Sequence, residues 1–408
     1  VFNQGAWGFS SSPEMANDAI EGTIKAATRN ASFLAKKCGN PDADLPRSVA
    51  NLDSDFRTKQ PRRSQEEIIG FLRGIDEYIV KQCPDLVSRQ VMLNCLDMEK
   101  KLQTSEGSFG HNTNTRSLIY VMLTTRNDKG EPIELSEGFG NRGQFEDVFP
   151  TDEEVRAKVD KLYGQLMDKK AAVKPVSGYH DVILAADLAG ILAHEAIGHT
   201  TEGDIVRSGS VAGDYLGQKV ASDLVTLVDF ANTYNGETLP VPVYLDDEGV
   251  ESKDAVLIEN GVLKAFMHNK DSARYFGMDV TGNARAFSYT DEPLVRMRNT
   301  AILPGESKFE DMIASIDKGY LLMRPTNGQA DSTSEFMFGV QMGYEIVDGK
   351  LGRAITDTTI SGIAFDMLQE VSMLSAEMNW TCSGMYGQKQ PMPVGRGGHT
   401  VETKRCIG

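Results

Sequence analysis

Hydrophobic positions recur with helical spacing in several stretches of the first 175 residues. Ile20, Ile24, Ala27, Ala31 and Leu34 fall at four-three-four-three intervals and predict one apolar stripe on a long helix. Ser12 followed by Pro13 gives that helix a cap and a pre-set first turn. Ser64 to Glu67 has the form of a capping box, with Ile68, Phe71, Leu72, Ile75 and Ile79 continuing the helix until Pro84 stops it. A second box, Thr151 to Glu154, opens a helix with Val155, Val159, Leu162 and Leu166 on one face. Between them Val87 to Leu96 and Ser117 to Thr124 read as strands. The lysine-rich, proline-ended stretch Asp168 to Pro175 marks a domain boundary, giving an N-terminal α/β domain over 1–175 and a β-rich domain over 176–408.

Strand signals dominate the second part. Val256 to Glu259, Asn260-Gly261 and Val262 to Phe266 form a hairpin pattern, because Asn-Gly tolerates the positive φ of a two-residue turn. Tyr344 to Val347, Asp348-Gly349 and Lys350-Leu351 repeat the device. Shorter helices are expected from Ser307, with Glu310 closing a capping box, and over Ile363 to Leu374. The fold class that follows is α+β, with a mixed α/β first domain and a mainly antiparallel second one.

Composition narrows the function. The 408 residues carry a formal charge of −16, which disfavours nucleic acid as a main partner because phosphate binding needs a basic surface. The chain has six His and five Cys, and the cysteines form no CxxC pair, so neither a disulfide framework nor a zinc ribbon is expected. Reduced thiols suggest a cytoplasmic setting. No apolar run approaches the roughly 20 residues that span a bilayer, so no membrane role is expected. The chain opens at Val1 without Met, which leaves room for a preceding segment such as a targeting signal.

Against that scarcity of histidine, one segment concentrates chemistry. Val182 to Ala186 is a short apolar run suited to a buried strand, and Asp187 can cap the helix that follows, which reads Leu188 through His194-Glu195-Ala-Ile-Gly198-His199. Zinc favours imidazole nitrogen and can bring the pKa of bound water near neutrality, and an adjacent carboxylate can take that proton and deliver it to a leaving amine. The spacing, however, is HExxxH. Histidines five apart lie about 140° round an ideal α-helix, against about 40° for the familiar four. Shared chelation therefore requires the helix to end, tighten or bulge between them, and Gly198 is the residue expected to permit it. Spacing leaves the third ligand open, between the carboxylates of Glu202 and Asp204 and a distant His or Cys. His111, His180, His268 and His399 are expected to be structural or exposed, as is the glycine-rich turn Gly395 to Gly398 with Arg396. Arg285 and Tyr289 are minor candidates for substrate contacts.

The stretch His194-Glu-Ala-Ile-Gly-His199-Thr-Thr-Glu202-Gly203-Asp204 resembles the signature of the TldD/PmbA family of zinc peptidases, some of which carry a label as modulators of DNA gyrase. Leu245 to Gly249, Leu257 to Gly261, Gly282 to Arg285, Cys382 to Gln388 and Pro393 to Gly397 are similar to family segments in family order. The likeness covers residues 176–408 well. Gly8-Phe9 and the helix after them match more loosely, at what the resemblance makes an interior part of the first domain, so the family's first strands are expected to be missing from this chain.

With the motif retained, the chain resembles the catalytic TldD-like branch rather than the motif-less PmbA (TldE) branch. The resemblance then implies His194, His199 and Cys382 as zinc ligands and Glu195 as the catalytic base. It implies a metallopeptidase in which Glu195 activates a zinc-bound water against unfolded or extended peptides. It also implies pairing, either as a homodimer or as a heterodimer with a PmbA/TldE-like subunit. The alternatives are a non-catalytic scaffold subunit of such a complex and a zinc hydrolase of another amide. A direct action on DNA gyrase sits badly with the acidic charge.

Overall fold

A computed structural model describes residues 1–40, 44–386 and 390–408. Gly387 and Gln388, which end one of the family-like segments, lie outside the described residues. The α+β class holds, with one large sheet in the first half of the chain and two in the second.

In the first half, the strand Phe109–Arg126 is central. It pairs antiparallel with Ser88–Gln103 and with Pro132–Arg142, and parallel with Asn51–Asp55. Side chains alternate faces along it, as a period of two requires. Ile119, Val121 and Leu123 join Ile75 and Ile79 of helix Gln65–Gln82 and Val155, Val159, Leu162 and Leu166 of helix Glu153–Lys170 in one buried core. Leu118 and Tyr120, on the other face, meet Val241 and Cys382.

The local rules succeed unevenly. The Ser64–Glu67 capping box forms in both directions. Asp152 rather than Thr151 caps the later helix, without a side-chain cap bond, and its carboxylate takes Arg156 instead. Lys308 stands before the helix Phe309–Ala314, so the box proposed from Ser307 to Glu310 does not form. The helix expected from Pro13 begins at Asn17, because Ser12 spends its hydroxyl on the amide of Glu14 in a local turn. Its stripe is only partly used: Ala27 and Ala31 are buried, whereas Ile20, Ile24 and Leu34 remain exposed. The backbone of Gly8 packs directly over Ala27 and Ala31, and the short hairpin it belongs to is too small to cover more.

In the second half, five strands close on one another. Gly178–Leu184 lies between Lys318–Ala330 and Val401–Ile407; Thr358–Ile363 follows, then Glu335–Val347, which returns to Lys318–Ala330. All pairs are antiparallel except Gly178–Leu184 with Lys318–Ala330. A six-stranded sheet stands beside this ring, in the order Val262–Leu263, Ala255–Glu259, Leu227–Phe230, Asn299–Ile302, Gly395–Gly398, Asn379–Thr381. Both Asn-Gly and Asp-Gly turns have the expected left-handed conformation, with φ of 47° and 81° at Asn260 and Gly261 and 50° and 69° at Asp348 and Gly349. Helix Ala364–Gln369 is shorter than the Ile363 to Leu374 span expected for it.

Gly395–Gly398 is a buried strand rather than a turn, paired in parallel with Asn299–Ile302. Its glycines serve close packing. A Cβ at Gly395 would stand 2.1 Å from the Asn299 side chain, and one at Gly397 would stand 2.8 Å from Trp380. Between this sheet and the ring runs the helix that begins at Ala186, burying Leu188, Ala189, Ile191, Leu192, Ala193 and Ile197 in the largest core of the molecule.

Candidate metal centre

The helix enters as an ordinary α-helix over Ala186–Ile191, preceded by Ala185; Asp187 lies in its first turn instead of capping it. Over Leu192–Gly198 it widens into a π-helix, and His199–Thr201 tightens to a 3-10 turn. The amide of His199 donates to the carbonyl of His194. A hydrogen bond from residue i+5 to residue i closes one turn over five residues, so the two positions it joins return to one face. The two rings stand 5.1 Å apart, nearly perpendicular. The expected distortion is therefore present, but it spans the whole interval between the histidines instead of starting at Gly198.

Gly198 itself is helical, with φ of −55°, so its conformational freedom is not what is used. A Cβ there would lie 1.9 Å from the sulfur of Met297. The glycine makes room for the neighbouring strand segment. Thr201 steadies the wide turn, its hydroxyl donating to the carbonyls of Ile197 and Gly198 at 3.0 Å each, while the Thr200 hydroxyl reaches that of Ile197 at 2.8 Å.

Ligand atoms of His194, Glu195 and His199 all lie within 4.8 Å of one another, the one such His/Cys/Asp/Glu group among the described residues. His199 presents Nε2 to Glu195 at 3.4 Å, and His194 Nε2 stands 4.0 Å from the same carboxylate. Behind His199, Glu202 places Oε1 3.3 Å from Nδ1, and Arg296 holds the other oxygen of Glu202 at 3.2 Å. Burial pushes His194 well below the usual imidazole range, which keeps it neutral and fit to donate a lone pair. Burial acts the same way on His199, but the carboxylates of Glu202 and Glu195 outweigh it and raise the ring. For Glu195 burial opposes ionisation, and contact with His199 and the nearby positive charges prevail, so its carboxyl lies below the ordinary range. Two imidazoles and a carboxylate at this separation are a donor set that fits a borderline divalent cation such as zinc.

Cys382 falls outside that group. It is fully buried at the end of strand Asn379–Thr381, whose Thr381 pairs with Arg396. The Arg396 guanidinium acts electrostatically on His194, Glu195 and Cys382 alike. Burial pushes the thiol up to about 11, opposed by Arg116, Arg396 and Arg142. The first-half sheet grips this segment from behind: Arg116 donates to the carbonyls of Cys382 and Gly384 at 2.9 and 3.1 Å, and Tyr120 to that of Ser383.

The remaining histidines stand apart from the cluster. His111 bridges Asp53 and Glu99, His180 contacts the Val176 carbonyl, His268 meets Ser272, and His399 contacts the Thr400 carbonyl. Arg285 is buried and donates to the carbonyls of Met297 and Pro393, a structural placement, and Tyr289 is exposed. Asp204 lies beyond the cluster, where its carboxylate accepts from the amide of Ile205. Glu202 is fully buried behind His199 and not among the cluster's ligand atoms, and its i+3 spacing from His199 is the sequence signal for that placement. Arg296 carried no sequence signal at all.

Comparison with known proteins agrees with this chemistry. A model of the PmbA/TldA metallopeptidase C-terminal domain matches residues 177–400. The chain is 27% identical over 407 residues to a zinc metalloprotease TldD homolog of Saccharolobus solfataricus, covering 99% of this chain and 87% of that protein. It is 34% identical over 375 residues to a metalloprotease TldD homolog of Haemophilus influenzae, covering 88% and 76%. The crystal structure of TldE from Thermococcus kodakarensis shares the fold, with a TM-score of 0.69 at 18% identity over 95% of this chain and 84% of that one. The chain belongs to the TldD/PmbA family of metallopeptidases.

Proposed function

We propose that the chain is a zinc-dependent peptidase of the TldD-like branch, acting on unfolded or extended peptides. The observation that carries this reading is the π-turn that brings His194, Glu195 and His199 together in a buried setting. His194 and His199 are the proposed histidine ligands, and Cys382 the proposed third. Zinc bound there supplies a Lewis acid that polarises water and a substrate carbonyl. Glu195 takes a proton from the attacking water and returns it to the departing amine nitrogen. Burial opposes its ionisation, and its basicity is depressed by contact with His199 and by the charges of His194, His199 and Arg396.

The names of the relatives support a metalloprotease, and one of them is named for zinc. In the same reading the chain divides near 175, although Met342 and Ala354 of the second unit help fill the core of the first. It pairs with a second copy or with a TldE-like subunit and works in the cytoplasm. No described helix is long and apolar enough to cross a membrane. The test is cleavage of an unfolded polypeptide. Activity should vanish on chelation and return with zinc, whereas activity indifferent to chelation would defeat the reading.

A further inference from the structure

Glu202 is wholly buried, and so is the arginine that meets it; the side chains of Glu202 and Arg296 are 0% and 2% exposed. An ion pair taken out of water is seldom a net stabiliser, because desolvation offsets most of the attraction and an apolar pair of similar size does as well. The pair is therefore poorly explained by stability alone. Its carboxylate also has a second address, the Nδ1 of His199 at 3.3 Å.

The backbone around Glu202 is fixed independently of its side chain. The amide of Met267 donates to the carbonyl of Thr201 at 3.0 Å, and the amide of Gly203 donates to the carbonyl of Met267 at 2.8 Å. These bonds clamp the residue on both sides. Gly203 has no room for a side chain, since a Cβ there would lie 2.7 Å from both His268 Nδ1 and the Met267 carbonyl. Glu202 thus leaves a rigid corner toward the ring of His199. Arg296 occupies the opposite oxygen at 3.2 Å, and its own amide is bound to the carbonyl of Asn283 at 2.8 Å.

We propose that Glu202, held by Arg296, is the positioning residue of the metal centre: it takes the Nδ1 hydrogen of His199 and thereby turns Nε2 toward Glu195 and the cation. This rests on the reading of His199 as a metal ligand. A ring nitrogen bound to a carboxylate fixes the tautomer and the rotation of the imidazole and raises its basicity as a ligand. The π-turn brings the two rings to one face; the Arg296–Glu202 pair sets which nitrogen of the second ring is offered. No bond is made or broken by these two residues.

The test is zinc affinity by competition with a chromogenic chelator, together with the visible spectrum of the cobalt-substituted protein. Glu202→Gln keeps the size of the side chain and removes its charge, and it should weaken zinc binding roughly 10–100-fold and alter the cobalt spectrum. Because that change leaves Arg296 buried without its partner, the double variant Glu202→Gln with Arg296→Met is measured beside it. It removes both charges and should show the same loss of affinity. Wild-type affinity and an unchanged cobalt spectrum in either folded variant would overturn the proposal. His199→Ala is the control for the underlying reading. If it too retains zinc, the assignment of His199 as a ligand fails, and not merely the role of Glu202.

Discussion

The amide of His199 donates to the carbonyl of His194, five residues earlier, and this single i→i+5 bond turns an unpromising spacing into a shared site. In a regular α-helix the same residues would face about 140° apart. The wide turn packs against the strands Asn299–Ile302 and Lys318–Ala330, with Ile197 in the largest buried core.

Gly198 should be intolerant of even a methyl group. Gly198→Ala places a Cβ 1.9 Å from the sulfur of Met297, and overpacking of this kind costs about 1–3 kcal/mol. The expected result is a lowered Tm and substoichiometric zinc, with metal binding partly restored when Met297→Ala is added. A stable, fully metallated Gly198→Ala protein would show that the turn adjusts freely.

Cys382 tests the third position. The thiol is buried and held protonated, since burial pushes it up to about 11 despite the charges of Arg116, Arg396 and Arg142, and a bound metal would ionise it. Cys382→Ala should lose zinc affinity by at least the roughly 10–100-fold seen for outer-shell partners. The cobalt protein should lose its thiolate charge-transfer band. Full zinc retention in Cys382→Ala removes it from the scheme and leaves a His194–His199 site completed otherwise.

His111 gives a pH signature in the first sheet, far from the metal question. Its two nitrogens stand 2.9 Å from Asp53 and from Glu99, and these carboxylates raise its pKa. A histidine whose folded pKa exceeds its unfolded value of about 6.5 contributes stability that is complete below that pH and lost as pH rises through the folded pKa. Denaturation midpoints measured from pH 5 upward should fall through this window in the wild type. The fall should be smaller in His111→Gln; identical slopes would assign it to other groups.

Much of this was readable in the sequence, and the failures share a cause. Turns and stripes decided by neighbouring residues came through: the Asn260-Gly261 and Asp348-Gly349 hairpins, the Ser64–Glu67 box, and the buried face Val155, Val159, Leu162 and Leu166. Features decided by distant packing did not. Gly395–Gly398 reads as a turn until Asn299 and Trp380 are seen to exclude side chains from it. The need for a distortion between His194 and His199 follows from spacing, whereas its form, a π-turn braced by Met297 and the threonines, depends on strands more than 90 residues away. Arg296, which completes the support behind Glu202, belongs to that same distant segment.

In the proposed function Glu195 acts as the base of a zinc peptidase while the histidines beside it hold the metal. Its most direct test pairs zinc stoichiometry with cleavage of an unfolded polypeptide, for the wild type and for Glu195→Gln, each with and without a TldE-like partner. The expected result is one zinc per chain in both proteins and a loss of cleavage of at least roughly 10²–10⁴-fold in the variant. Stoichiometric zinc with cleavage that is absent from the wild type, or undiminished in Glu195→Gln, would contradict it.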